Sequence, residues 1–144
     1  MEEDIISIFA SVKEELGGVD ILINNAGIQE AGAAHEISAD DFEKVIDVNL
    51  KGAYFCAREA IKEFLNEDKS GIIINVSSVH QIIPRPQYIS YSVSKGGIQN
   101  LTRTLALEYA RKKIRVNAIA PGATITPIII HSLIIYSPTY QHQM

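Results

Sequence analysis

Tyr91 and Lys95 stand four residues apart, and Ser78 lies thirteen residues upstream of Tyr91. On a helix, positions i and i+4 share one face, so a phenol and an ammonium can meet over one bound molecule. A free tyrosine titrates near pH ~10 and supplies little phenolate at neutral pH. A positive charge beside it favours the phenolate. A serine hydroxyl aimed at the same substrate oxygen would polarise it. The three groups make a proton-transfer device for an alcohol or a carbonyl. The spacing alone does not single out catalysis, because surface helices carry Tyr-x-x-x-Lys by chance.

The elements that must position these groups follow from the apolar pattern. Ile5, Ile8, Phe9, Val12 and Leu16 recur at helical spacing over residues 4–16, and Gly17-Gly18 stops that helix. Residues 19–24 read as a short apolar strand and 29–37 as a loop. Ser38 is a good N-cap, followed by acidic Asp40 and Asp41, and the helix it starts runs to about Leu65. Residues 72–76 form a second strand, β-branched and continuously apolar, which suits burial on both faces. A Pro84/Pro86 loop leads to a helix over 89–112, then a third strand over 114–119 that ends at Pro121-Gly122.

This order predicts an α/β fold with a parallel sheet and helices on both faces. Right-handed crossovers put the second and third helices on one face and leave the first for the other. In such sheets ligands sit beyond the carboxyl ends of the strands. Asn25-Ala26-Gly27, Ser78 and Pro121-Gly122 all fall at those ends.

Several motifs recur along the chain: Asn24-Asn25-Ala26-Gly27 after Ile21-Leu22-Ile23, Asn49 within Val48-Asn49-Leu50-Lys51-Gly52, and Asn75-Val76-Ser77-Ser78 after Ile72-Ile73-Ile74. Tyr91-Ser92-Val93-Ser94-Lys95-Gly96-Gly97, Arg115-Val116-Asn117 and the stretch from Pro121 to Pro127 complete the set. In this order they resemble the short-chain dehydrogenase/reductase family over about residues 4–130. Within it, Ser77-Ser78-Val79-His80, the stretch to Tyr91, and Thr104 to Ala110 resemble the bacterial glucose 1-dehydrogenases.

The resemblance implies a partial Rossmann-like, doubly wound parallel sheet of about three strands with flanking helices. It implies NAD(P)-dependent hydride transfer on an alcohol or carbonyl, with NAD or NADP as cofactor and glucose or a related sugar or polyol as substrate. Tyr91 would be the general base, Lys95 would hold the nicotinamide ribose, and Ser78 would hold the substrate oxygen. Asn49 would offer a backbone carbonyl to a water leading to Lys95. Asn25, Ala26 and Gly27 would line the adenosine side, although Asn25 reads equally well as a tie between strands. Pro121, Gly122, Thr124 and Thr126 match the segment that holds the carboxamide. His80 and Gln81, just past Ser78, would face a polyhydroxylated substrate. A homo-oligomer through helices 38–65 and 89–112 is implied.

The bland readings stand beside these. Gly96 and Gly97, at about 1 kcal/mol each in a helix interior, suit close packing. Cys56 reads as core filler, and Arg58, Glu59, Lys62 and Glu63 as a solvated helix face. His35, His131 and His142 show no metal-ligand spacing, so no metal is expected.

The 144 residues carry a net charge of −4, which leaves no basic footprint for nucleic acid. One cysteine excludes an internal disulfide and suits a reducing compartment. The acidic start lacks a basic n-region, and no apolar run reaches the ~20 residues that span a bilayer. A cytoplasmic protein with no membrane partner is expected.

No Gly-rich turn occurs, so the pyrophosphate-binding strand-turn-helix and the residue that separates NAD from NADP are not expected here. The resemblance fades after about Ile128. The expectation is a truncated chain: a partial domain over residues 1–128 and an atypical tail over 129–144. An open sheet edge would invite association, and the isolated polypeptide would bind cofactor weakly. The alternative is a non-catalytic remnant that acts only through a full-length relative.

Overall fold

A computed structural model describes residues 1–122 of the chain; the expectations for Thr124, Thr126 and the tail over 129–144 lie outside them. Helix α1 (Glu2–Leu16) starts with three acidic residues at its positive end and closes on Gly17, whose φ of 82° suits glycine. Strand β1 (Ile21–Asn24) follows. Ser38 caps α2 (Ala39–Ile46), accepting from the Asp41 N–H at 3.0 Å. The helix runs on through a widened π-type turn, Asp47–Lys51, into α3 (Gly52–Asn66). The helix expected over 38–65 is therefore continuous in direction but carries a π-bulge, which periodicity did not reveal. Then come β2 (Gly71–Val76), a 3₁₀ turn (Val79–Gln81), α4 (Ile89–Tyr109) with a short 3₁₀ extension, and β3 (Ile114–Ile119).

The three strands are parallel in the order β1-β2-β3. Leu22 pairs with Ile73 and Ile73 with Val116; Asn24 pairs with Asn75. Side chains alternate across a strand, so this set shares one face. The core lies there: Ala57, Ala60, Ile61 and Phe64 of α3 and Leu105 of α4 cover Ile73, Ile114 and Val116.

The expectation that α1 takes the opposite face is corrected. Helices α3 and α4, which lie in the crossovers from β1 to β2 and from β2 to β3, both pack on this face, as crossovers of one hand require. No strand precedes α1 among the described residues, so that rule does not place it. Phe9 of α1 packs against the same core cluster. Arg58 of α3 donates to Glu2 at 2.6 Å, and Lys13 pairs with Glu67. Arg58 is thus a tie to α1, not part of a merely solvated face. Likewise Glu63 accepts from the Val19 N–H and from Lys69, at 2.8 and 2.9 Å, and anchors the turn into β1.

The other sheet face carries Ile21, Ile23, Ile72 and Ile74, with Arg115, Asn117 and Ile119 of β3 beside them. Ile21, Ile23 and Ile119 are more than half exposed. Among the described residues, then, the sheet has helices on one side only, and the expected burial of β2 on both faces is not seen. No helix among the described residues is long and apolar enough to cross a membrane.

Candidate active site

The site forms where β1 and β2 end and α4 begins. Lys95, the seventh residue of α4, is 4% exposed. Its Nζ donates to the Val76 carbonyl, the last of β2, at 2.8 Å. Burial without a carboxylate partner pushes the ammonium below its ordinary value of 10.5. One turn earlier, Tyr91 places its ring centre 5.5 Å from the Lys95 Nζ. The two groups share one helix face, as the i, i+4 spacing predicts.

Ser78 and Ser77 follow β2 and are both buried. Ser77 Oγ donates to the Lys95 carbonyl at 3.1 Å, which fastens the strand end to α4. Ser78 Oγ accepts from the His80 N–H at 3.2 Å and starts the 3₁₀ turn. That turn sets the His80 ring edge-on to Tyr91, with centres 6.1 Å apart. Gln81 lies in the same turn, and its Oε1 is buried with no hydrogen-bond partner among the described residues. Pro121 touches this turn through its carbonyl, which accepts from the Val79 N–H at 3.1 Å. Gly122 follows, exposed.

Asn49 sits in the π-turn and is 2% exposed. Its Oδ1 accepts from the Ile28 N–H at 2.8 Å, and its Nδ2 donates to the Ile28 carbonyl at 2.9 Å. The same Nδ2 reaches Ser94 Oγ at 3.0 Å, and Ser94 Oγ donates to the Tyr91 carbonyl at 2.7 Å. A backbone segment gripped at both polar groups is fixed in position. The Asn25–Ala26–Gly27 segment is thereby held beside Lys95. A Cβ built on Gly27 would stand 3.5 Å from Lys95 Nζ and 3.6 Å from Asn49 Oδ1. A π-bulge that delivers a buried polar side chain to a site is a common functional device.

Beneath the site runs a buried polar ladder that the sequence reading did not anticipate. Asn24 Nδ2 donates to the Ala53 carbonyl and to Asn75 Oδ1, at 3.2 and 2.8 Å. Asn75 Nδ2 donates to Thr102 Oγ1 at 2.9 Å. Asn24, not Asn25, ties the strands together; Asn25 is exposed at the strand end. The available signal was alternation: Asn24 and Asn75 fall on the core face of otherwise apolar strands, where an unpaired amide is unfavourable. Among the described residues, no cluster of His, Cys, Asp or Glu has the makings of a metal site.

Comparisons with known proteins bear on the family and the fold. Residues 1–132 match the family model described as short chain dehydrogenase. The chain is 51% identical over 126 residues to 3beta-hydroxysteroid dehydrogenase 1 of Eggerthella lenta, covering 88% of this chain and 48% of that protein. It is 49% identical over 127 residues to glucose 1-dehydrogenase of Gluconobacter oxydans, again 88% and 48%. A 4-hydroxyisoleucine dehydrogenase solved with NADH superposes at a TM-score of 0.84 with 36% identity, over 92% of this chain and 59% of that one. A gluconate 5-dehydrogenase from Burkholderia cenocepacia, solved with NADP and tartrate, superposes at 0.88 with 28% identity, over 96% and 53%. The chain spans about half the length of the curated relatives it matches. A matching family model over nearly the whole chain, relatives near half identity and a shared fold together establish that this chain belongs to the short chain dehydrogenase family.

Proposed function

We propose that this chain carries the catalytic half of an NAD(P)-dependent dehydrogenase that acts on an alcohol or carbonyl, with a sugar or polyol as substrate. One observation carries the reading: the buried Lys95 ammonium is held on the Val76 carbonyl between Gly27 and the Tyr91 ring. The residues present fit a dinucleotide at the strand ends. Gly27 leaves open the space that a side chain would fill, and the Asn49 clamp keeps that backbone in place. Asn25, Ala26, Gly27 and Lys95 would hold the cofactor, with Pro121 and Gly122 at its nicotinamide end. The cofactor, when bound, supplies hydride acceptance or donation.

The chain's own residues manage the proton. Tyr91 takes the hydroxyl proton during oxidation and returns it during reduction. Lys95 sets its positive charge close to the ring, opposite the phenolate form that accepts this proton in oxidation and remains after the proton is returned in reduction. Ser78 holds the substrate oxygen near Tyr91, and His80 and Gln81 meet its outer hydroxyls. Positioned acid–base help of this kind contributes about 10²–10⁴ in rate. Asn49 and Ser94 hold the frame. The test is calorimetric titration of the folded chain with NADH and NADPH, followed by glucose oxidation with each oxidised cofactor. Weak but saturable binding and slow turnover are expected. A folded chain that binds neither cofactor refutes the reading.

A second reading, action through association with a full-length relative, has the bare isoleucine face of the sheet in its favour. A contiguous exposed apolar face of this kind marks an interaction surface. Mixing the chain with a full-length family enzyme and finding no co-migration would remove it.

A further inference from the structure

We propose that His80 selects substrates carrying a second hydroxyl on the carbon next to the reacting carbinol, through a bare imidazole nitrogen fixed by the 3₁₀ turn. This rests on the dehydrogenase reading above and narrows its substrate class to vicinal diols. The argument starts from the backbone. The N–H groups of Ile82 and Ile83 both donate to the Val79 carbonyl, at 3.1 and 2.9 Å, which locks the loop just after His80. The Ile83 carbonyl lies 2.8 Å from His80 Nδ1. A carbonyl oxygen can only accept, so Nδ1 must carry the hydrogen. Neutral imidazole has one N–H, so Nε2 is left as an acceptor. It has no partner among the described residues.

The ring is also held from two other directions. The His80 backbone N–H donates to Ser78 Oγ at the base of the side chain, and the ring stands edge-on to Tyr91. His80 therefore adjoins both groups that would handle the reacting oxygen. A substrate with its carbinol between Ser78 and Tyr91 presents its next carbon toward this half-buried ring. An acceptor there favours a hydroxyl donor and leaves a methylene without a partner. Nε2 accepts a hydrogen bond and takes up no proton in any step; the group reads the substrate and does not activate it.

The first measurement is a long-range nitrogen–proton NMR spectrum of the folded chain, with the His80 signal assigned by its loss in His80→Phe. The Nδ1–H tautomer is expected, with the Nε2 resonance moving when glucose is added and not when 2-deoxyglucose is added. An Nε2–H tautomer overturns the proposal. The second is kcat/KM for glucose against 2-deoxyglucose, and for trans-cyclohexane-1,2-diol against cyclohexanol. Wild type should favour each diol by roughly 2- to 10-fold, the scale of one hydrogen bond. In His80→Phe that ratio should fall to about 1, through a higher KM for the diol. Equal rates on both members of each pair in wild type, or a ratio that survives in His80→Phe, overturn this inference alone. Absence of NAD(P)-dependent oxidation of any of the four alcohols by the folded chain overturns the dehydrogenase reading with it.

Discussion

Replacing Asn49 by Asp changes one atom type and tests the clamp that seats the loop of residues 25–28. Asn49 makes three hydrogen bonds, two of them donations from Nδ2. Asp keeps the Oδ1 acceptor for the Ile28 N–H and loses both donations when ionised. Each lost bond is worth about 1 kcal/mol net, and an Ile28 carbonyl left facing an oxygen adds about 1–2 kcal/mol, the lower part of the range for an unsatisfied buried group. The ionised variant should thus be less stable by about 3–4 kcal/mol, against a total of about 5–15 kcal/mol for a domain. A protonated Asp can still donate to the Ile28 carbonyl, so the loss there is only about 1 kcal/mol. The difference, about 2.5 kcal/mol, corresponds to a folded-state pKa for the new carboxyl raised by about 2 units from about 3.9. The unfolded chain then releases its proton first, so stability falls as pH rises from about 4 to about 6. In thermal unfolding at about 3 °C per kcal/mol, the variant should melt about 3 °C below wild type near pH 4 and about 10 °C below it near pH 7.5. Asn49→Leu removes all three bonds without a titrating group, and its deficit should not change with pH. A deficit for Asn49→Asp that is equal at both pH values would refute the reasoning.

Further outcomes follow from the same geometry. Gly71→Ala would drive a methyl into the buried Phe64 ring, and overpacking of this kind should lower stability by about 1–3 kcal/mol in urea unfolding. Gly96→Ala meets nothing within 4 Å in the α4 interior and should raise stability by about 0.5–1 kcal/mol in the same assay. Because burial depresses the Lys95 ammonium, the unfolded chain holds more protons in the window below 10.5, and stability gains from rising pH there; Lys95→Met should remove that contribution from a pH series of melting curves. Paired Ile21→Lys and Ile23→Lys changes on the bare face should reduce light scattering and dye binding while far-UV circular dichroism stays the same.

Tyr91 and Lys95 were legible because helical spacing alone puts them on one face, and the three strand-end motifs converged because parallel topology brings carboxyl ends together. Strand β3 and the body of α4 were legible from apolar pattern and turn residues. The π-bulge was not, since residues 47–51 continue the helical pattern and differ only in how the backbone bonds close. The placement of α1 was misjudged because crossover handedness says nothing of a helix with no strand before it. Gly96 and Gly97 look alike in sequence, yet only Gly97 is packed tightly: a Cβ there would lie 2.7 Å from Leu50. The role of the Asn24–Asn75–Thr102 ladder depends on contacts 27 to 51 residues apart in the chain, which no local pattern encodes.

The most direct test of the dehydrogenase reading is a single-turnover reaction of the folded chain with glucose at cofactor concentrations high enough to overcome weak binding, run beside Tyr91→Phe. Reduced nicotinamide should form with wild type and at least about 100-fold more slowly with Tyr91→Phe, while both bind NADH equally. Equal rates for the two proteins would contradict the assignment of the proton to Tyr91. No reduction by a folded wild-type chain that binds the cofactor would contradict the reading itself.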